Sequence, residues 1–533
     1  MLKDGKIWLG NNENGEPLFL LPKMANRHGL VAGATGTGKT VTLKVMAESF
    51  SEMGVPVSMA DVKGDIASIM TAGTDSEDMQ ARIQKFGLAE AGFTYQGYPV
   101  TLWDIYGEKG IQLRTTISEM GPILLSRILG LNELQSGVLS IVFKIADDND
   151  LLLIDTKDLK SMLNYVQENA GEFAPAYGKM SPATIGAIVR ALVSLEVAGA
   201  DRFFFEPALN IGDFLAVGEG GKGMINILDS ESLINDGTLY STFLLWLLSE
   251  LFDKLPEVGD LDKPKMVFFF DEAHLLFSGT SKTLLDKIEQ VVKLVRSKGV
   301  GVYFCTQNPR DIPDGVLAQL GNRIQHALHA YTPADQKAVR AAADSFRVNP
   351  QFNTFDTILG LGTGEAVVSF LQEDGTPGIA QKVRILPPQS RMGSITDIER
   401  EQKIKESILY GKYAESVDPE SAYEILLRIG LEKEEAEARA KQELEAAKQR
   451  AKEEAELAKQ QAAEAKAAAR EAEKNAAAKK RAAKTIGGTV AGTVGREVGK
   501  TVGGTIGGKF GKTLGGNLGS SLGRGILNTL FGG

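Results

Sequence analysis

Residues 33–40 read GATGTGKT, directly after the apolar run GLVA. The spacing of Gly33, Gly38, Lys39 and Thr40 fills the G-x-x-x-x-G-K-[ST] pattern that encloses a phosphate chain. In such a loop the backbone N–H groups of Gly33, Ala34, Thr35, Gly36, Thr37 and Gly38 surround the phosphates. The Lys39 ammonium reaches the β and γ oxygens, and the Thr40 hydroxyl meets Mg²⁺. A second chemical feature lies 232 residues after Lys39, where the run KPKMVFFFDEAHLLF ends an apolar stretch in adjacent carboxylates. A central parallel strand is apolar along its length and exposes its polar residues at its end. Asp271 therefore fits the carboxylate that holds hydrated Mg²⁺, and Glu272 is placed to orient and deprotonate an attacking water.

The letters DEAH also name a group of helicases, but those place the nucleotide between two RecA-like cores, and no second core is visible in this chain. His274 is read as a helix-start or core-lining residue. Cys305, the single cysteine, lies in GVYFCTQ and is read as a buried strand thiol with neither redox nor metal function.

The elements that must position these residues follow from periodicity. From about residue 18 to about 410, short β-branched or aromatic runs alternate with helical segments, the α/β pattern of a mainly parallel sheet. VPVSMAD, YPVTLWDI, GMINIL, KMVFFFDEAH, GVYFCTQ and EAVVSFL are the strand candidates, and VTLKVMAESFSEMG the helix after the phosphate loop. Between Glu119 and about Leu215 the pattern turns helical, which divides the chain into a first half of the core (1–110), a helical insertion (111–215) and a second half of the core (216–410). A spacer follows over 411–484. From Leu431 it is rich in Ala, Glu and Lys, with few large apolar residues, so a solvated single helix is expected. In the tail, 485–533, glycine recurs every fourth residue from Gly495 to Gly523, each preceded by Val, Ile, Phe or Leu. Such a stripe allows close backbone packing, and its basic, apolar character suits self-association or an anionic membrane surface.

Charge is unevenly spread. Residues 431–533 carry 19 Lys and Arg against 13 Asp and Glu, so the net −9 of the chain divides into +6 there and −15 over residues 1–430. An acidic body is not a general phosphate-backbone binder, and any nucleic-acid site must be a local patch or a channel formed on assembly. No apolar signal segment or span of 18 apolar residues is found, so a cytoplasmic location is expected, with peripheral membrane contact through 485–533.

The motifs NRHGLVAGATGTGKTVTL, MADVKGD, FFFDEAHLLF, RSKGVGVYFCTQNPRDIP, LGNRIQHALHAYTPADQKAV and LGTGEAVVSFL together resemble the HerA and FtsK superfamily of ring-forming ATPases, over about residues 15–410. The resemblance implies a RecA-like P-loop NTPase core, homo-oligomers of the hexameric type, and ATP sites at subunit boundaries. It matches Gln307 to a polar sensor beside the γ-phosphate and Arg296 to the arginine that reaches a neighbour's nucleotide, with Arg323 as the second choice. An arginine supplied in trans makes hydrolysis depend on assembly. The barrel that precedes the motor in archaeal HerA is not expected here, because only about 28 residues stand before the first expected strand. DNA is the polymer the resemblance implies. An ATP-controlled scaffold with no DNA translocation is the alternative.

Overall fold

The computed structural model describes residues 1–197, 199–278 and 282–482. The glycine-repeat tail expected over 485–533 lies outside the described residues. Among the described residues thirteen strands form one sheet: β1 (Leu2–Lys3), β2 (Lys6–Asn12), β3 (Pro17–Leu20), β4 (Gly29–Ala32), β5 (Val57–Asp61), β6 (Val100–Asp104), β7 (Ile111–Gln112), β8 (Ile225–Asp229), β9 (Met266–Phe270), β10 (Val300–Thr306), β11 (Asn322–His326), β12 (Glu365–Ser369) and β13 (Gln381–Ile385). Their order is β1-β2-β13-β12-β11-β4-β10-β9-β5-β8-β6-β7, with β3 paired to β2.

From β11 to β7 every neighbouring pair is parallel, and from β12 to β1 every pair is antiparallel. The central strands β4, β5, β8, β9 and β10 are buried at every residue, as strands covered by helices on both faces must be. All six strand candidates read from the sequence are strands. The chain before β4 is also part of the sheet, since β1–β3 extend its antiparallel edge.

The insertion between β7 and β8 is helical, with helices Ile117–Ile128, Glu133–Asp148, Thr156–Glu168, Ala170–Tyr177 and Pro182–Val197. Local chemistry starts them. Asn132 and Asp155 each accept main-chain N–H bonds from the first turn and complete a capping box with residue N3. Helix Gly237–Lys254 has its N-cap at Asp236, is buried at every residue from Leu239 to Leu248, and packs against the inserted helix Ile117–Ile128. Contacts divide the chain into a first unit, Met1–Glu424, and a second, Ile425–Gly533. A 61-residue helix, Ala422–Ala482, begins at the end of the first unit, where Asp158 accepts hydrogen bonds from the Ser421 hydroxyl (2.6 Å) and the Tyr423 amide (2.8 Å). Beyond Leu431 its described side chains are nearly all exposed, consistent with its lack of an apolar seam. Among the described residues no single helix is long and apolar enough to cross a membrane.

Candidate nucleotide site

The phosphate loop leaves the C-terminal end of β4 and enters helix α1 (Lys39–Glu52). Gly38 is the N-cap, at φ +109, and no side chain caps the helix. The first-turn N–H groups and the positive end of the helix dipole are thus left for an anion. Only glycine suits this position. An added Cβ would stand 3.1 Å from the Gly364 nitrogen and 3.2 Å from its Cα, and Gly364 itself donates its N–H to the Thr37 carbonyl at 3.0 Å. The loop is held from the other side by β11, through the Ala34 N–H to the Ala327 carbonyl at 2.8 Å. The Lys39 ammonium donates to the Gly33 and Ala34 carbonyls at 2.7 and 3.1 Å, which curls it over the loop. Thr35, Gly36 and the half-buried Thr40 complete the loop, and the Thr37 hydroxyl donates to the Ala34 carbonyl at 2.8 Å.

The strand β10 lies between β4 and β9. Its end carries Gln307 between the phosphate loop and the carboxylate pair. Gln307 Nε2 donates to the two Glu272 oxygens at 3.3 and 3.4 Å, and His274 Nδ1 lies 3.4 Å from Glu272 Oε2. Of the two readings of His274, helix start or core lining, the first holds, since it begins the short helix His274–Phe277 and is only half-buried; its ring also borders the Glu272 carboxylate. Glu272 has φ +46, one of few non-glycine residues in left-handed conformation. Such strain survives where surrounding contacts over-determine it.

Those contacts are present. The Tyr240 hydroxyl, on the buried helix, donates to the Asp271 carbonyl at 2.8 Å, and the Glu272 N–H donates to Asp271 Oδ1 at 2.9 Å. From the insertion, the Arg127 guanidinium donates to the Leu275 and Leu276 carbonyls at 3.3 and 3.2 Å and to the Ser241 hydroxyl at 2.8 Å. Burial, and then the neighbouring Glu272 charge, raise the Asp271 carboxyl above its usual range, against the pull of the Glu272 amide, the Cys305 thiol and Lys39. Cys305 is buried as expected. Burial, and then the nearby Asp271 charge, push its thiol up, and its carbonyl accepts the Ala273 N–H at 2.9 Å.

The two arginines have different surroundings. Arg323 donates to the Leu320, Ser345 and Leu317 carbonyls at 3.2, 3.0 and 3.4 Å, so its guanidinium is engaged as a clamp inside its own chain. Arg296 lies just before β10, at the opposite end of that strand from Gln307. Seven strand residues separate them, about 23 Å at ~3.3 Å each. Burial and the nearby Arg27 charge lower the Arg296 value, with Asp260 opposing.

Three features of the site were not apparent in the sequence: Tyr240, Arg127 and His326. The last is buried at the end of β11, where Nε2 lies 2.9 Å from the Thr42 hydroxyl of α1 and Nδ1 lies 3.0 Å from the Glu365 carbonyl of β12. None carries a spacing signal, because each reaches the site from an element distant in sequence.

A glycine-rich loop on a parallel strand, one intervening strand, and a carboxylate pair ending the next together define a RecA-like P-loop ATPase. The chain belongs to the HerA-like helicase family, whose C-terminal-domain model, Helicase HerA-like C-terminal, matches residues 6–511. It is 24% identical over 355 residues to the DNA double-strand break repair helicase HerA of Sulfurisphaera tokodaii, covering 64% of this chain and 62% of that one. It is 22% identical over 356 residues to the protein of the same name from Sulfolobus acidocaldarius, with the same coverage. The chain thus spans less than two thirds of the length of these relatives. Among solved structures it is similar in fold to the plasmid coupling protein TrwB in complex with a non-hydrolysable ATP analogue, with a TM-score of 0.51 and 15% identity, covering 74% of this chain and 92% of that one.

Proposed function

We propose that this protein hydrolyses ATP with Mg²⁺ as a ring-forming motor that acts on DNA. The single observation that carries the ATPase chemistry is the placement of Gln307 between the phosphate loop and a strained, hydrogen-bonded Glu272. The uncapped N-terminus of α1 and the Lys39 ammonium bind the phosphates. The oxygen donors Thr40 and Asp271 suit Mg²⁺, which takes hard oxygen ligands and, when bound, neutralises charge on the phosphates. Glu272 accepts the proton of the attacking water, and Gln307, bonded to that carboxylate, orients the pair toward the γ-phosphate.

Arg296 stands at the far end of β10 from Gln307, which supports a role at the nucleotide of a neighbouring copy. That favours a closed homo-oligomer, and six subunits are proposed. DNA as the polymer is supported by the two relatives named as DNA repair helicases. A cytoplasmic location, with residues 485–533 contacting the membrane surface or their counterparts in other copies, completes the reading.

The test is ATP turnover by the full chain, with and without duplex or single-stranded DNA, across a salt series. DNA is expected to raise turnover at low salt, and the effect to fade steeply as salt rises. Glu272→Gln is expected to bind ATP normally and lose at least a hundredfold in turnover. Turnover indifferent to DNA at every salt concentration would remove DNA translocation in favour of an ATP-controlled scaffold, and wild-type turnover in Glu272→Gln would remove Glu272 as the base.

A further inference from the structure

Beyond the phosphate loop, past the end of β11, lies an open cavity of about 420 Å³ lined by Leu328, His329, Tyr331, Gln336, Arg340 and Phe355, among others. Helix Pro333–Asp344 supplies Gln336 and Arg340 to its lining, and two other lining segments run on to contacts with the phosphate loop. One is the chain leaving β11, whose Ala327 carbonyl accepts the Ala34 N–H, with Tyr331 four residues further on. The other is helix Thr354–Gly360, which carries Phe355 and ends four residues before Gly364, the donor to the Thr37 carbonyl. Four residues of extended chain span at most ~14 Å. Both segments are thus tethered to the phosphate loop by short runs of chain.

The lining is chemically specific. Tyr331 is 86% exposed, an unusual state for a large aromatic side chain, and its ring stacks on His329 with centroids 5.7 Å apart and an interplanar angle of 29°. The Arg340 guanidinium covers the Phe355 ring at 5.1 Å. The exposed Gln336 supplies both an amide donor and an acceptor. A neutral stacking face with an amide beside it recognises a heteroaromatic base, whereas a phosphate backbone calls for free cations, and Arg340 already sits over a ring.

We propose that this cavity binds the base of the nucleotide whose phosphates residues 33–40 hold, the purine stacking on Tyr331 while Gln336 meets its polar edge. The proposal rests on the ATP-binding reading above and names where that site gains its base preference. It also gives a function to the segment between β11 and β12 beyond bracing the loop: bound nucleotide bridges Tyr331 and Phe355 and so ties the two segments together.

The experiment measures equilibrium binding to the full chain of two probes that share a phosphate chain, ATP and inorganic tripolyphosphate, each with Mg²⁺. Tyr331→Ala is expected to weaken ATP about tenfold and to leave tripolyphosphate unchanged. Gln336→Ala is expected to narrow the preference for ATP over CTP. Both side chains are exposed, so neither variant threatens the fold. Unchanged ATP affinity in Tyr331→Ala, or an equal loss for ATP and tripolyphosphate, would overturn the base site. Lys39→Ala is expected to lose both probes. If it kept both, the phosphate-loop reading itself would fall, and the base site with it, which keeps the two failures distinct.

Discussion

Protonation of His326 should loosen the joint between the phosphate-loop helix and the neighbouring strands, and the structure sets the size of that effect. Because a carbonyl only accepts, the Nδ1 facing the Glu365 carbonyl carries the ring proton, and Nε2 accepts from the Thr42 hydroxyl. The neutral ring is therefore satisfied on both sides. Burial lowers its pKa from 6.5 to about 4, and the Lys39 charge acts in the same direction, against the Glu365 carbonyl. Between those values the unfolded chain binds a proton that the folded chain refuses. The stability tied to neutral His326 is thus complete above pH 6.5 and is lost as pH falls toward 4, by about 3 kcal/mol in all at ~1.4 kcal/mol per pH unit. The whole protein's pH curve does not isolate this term. His28 is also lowered to about 4 and adds to it, while burial raises Glu250 to about 7 and Asp229 to about 6, which oppose it. The difference between wild type and His326→Gln does isolate it, because a glutamine amide can make both hydrogen bonds but does not titrate. Urea unfolding followed by the fluorescence of the buried Trp8, Trp103 and Trp246 is expected to show wild type losing about 3 kcal/mol relative to the variant between pH 6.5 and 4. A difference constant over that interval would refute the reasoning.

Two further outcomes are expected. Gly33 has φ +155, and an added Cβ would stand 2.5 Å from the His326 Cβ, with no flexible end to yield, so Gly33→Ala should cost about 2–4 kcal/mol in urea unfolding; a loss below about 0.5 kcal/mol would show that β11 is free to move. Arg296→Ala and Lys39→Ala proteins, each inactive alone, should regain part of the turnover when mixed, and no recovery in oligomers shown to be mixed would place the function of Arg296 within its own chain.

Much of the sheet was legible because its central strands are mostly apolar and buried along their length, and the run MVFFF suits a strand covered on both faces. The phosphate loop and the carboxylate pair were legible because their chemistry requires fixed neighbours in sequence. Strand β11 was not, since NRIQH reads as a polar surface. Its polar groups are buried and paired: the Asn322 amide donates to the Met24 and His28 carbonyls at 2.9 and 3.1 Å and its oxygen accepts the Leu371 N–H, while Gln325 donates to the His326 carbonyl at 2.8 Å. A pattern that equates polarity with exposure misses such a strand. Strands β1–β3 were missed for another reason, because their pairing partners, apart from one another, come from β13 near the far end of the core.

Asp271 and Glu272 are adjacent in sequence, and their different roles depend on the backbone between them. Asp271 faces Cys305 and the charge of Lys39, in surroundings that raise its carboxyl and reward a cation. At φ +46, Glu272 instead carries its carboxylate to Gln307 and His274. A left-handed glutamate costs of order 1–3 kcal/mol, which the turn must recover from its supports. Those supports come from three directions, with the Tyr240 hydroxyl on the helix after β8, the Cys305 carbonyl on the neighbouring strand, which accepts the Ala273 N–H, and Arg127 on the inserted helix. Since Arg127 lies outside the phosphate loop and the sheet, its hydrogen bonds to the Leu275 and Leu276 carbonyls join the inserted helices to the turn that carries Glu272.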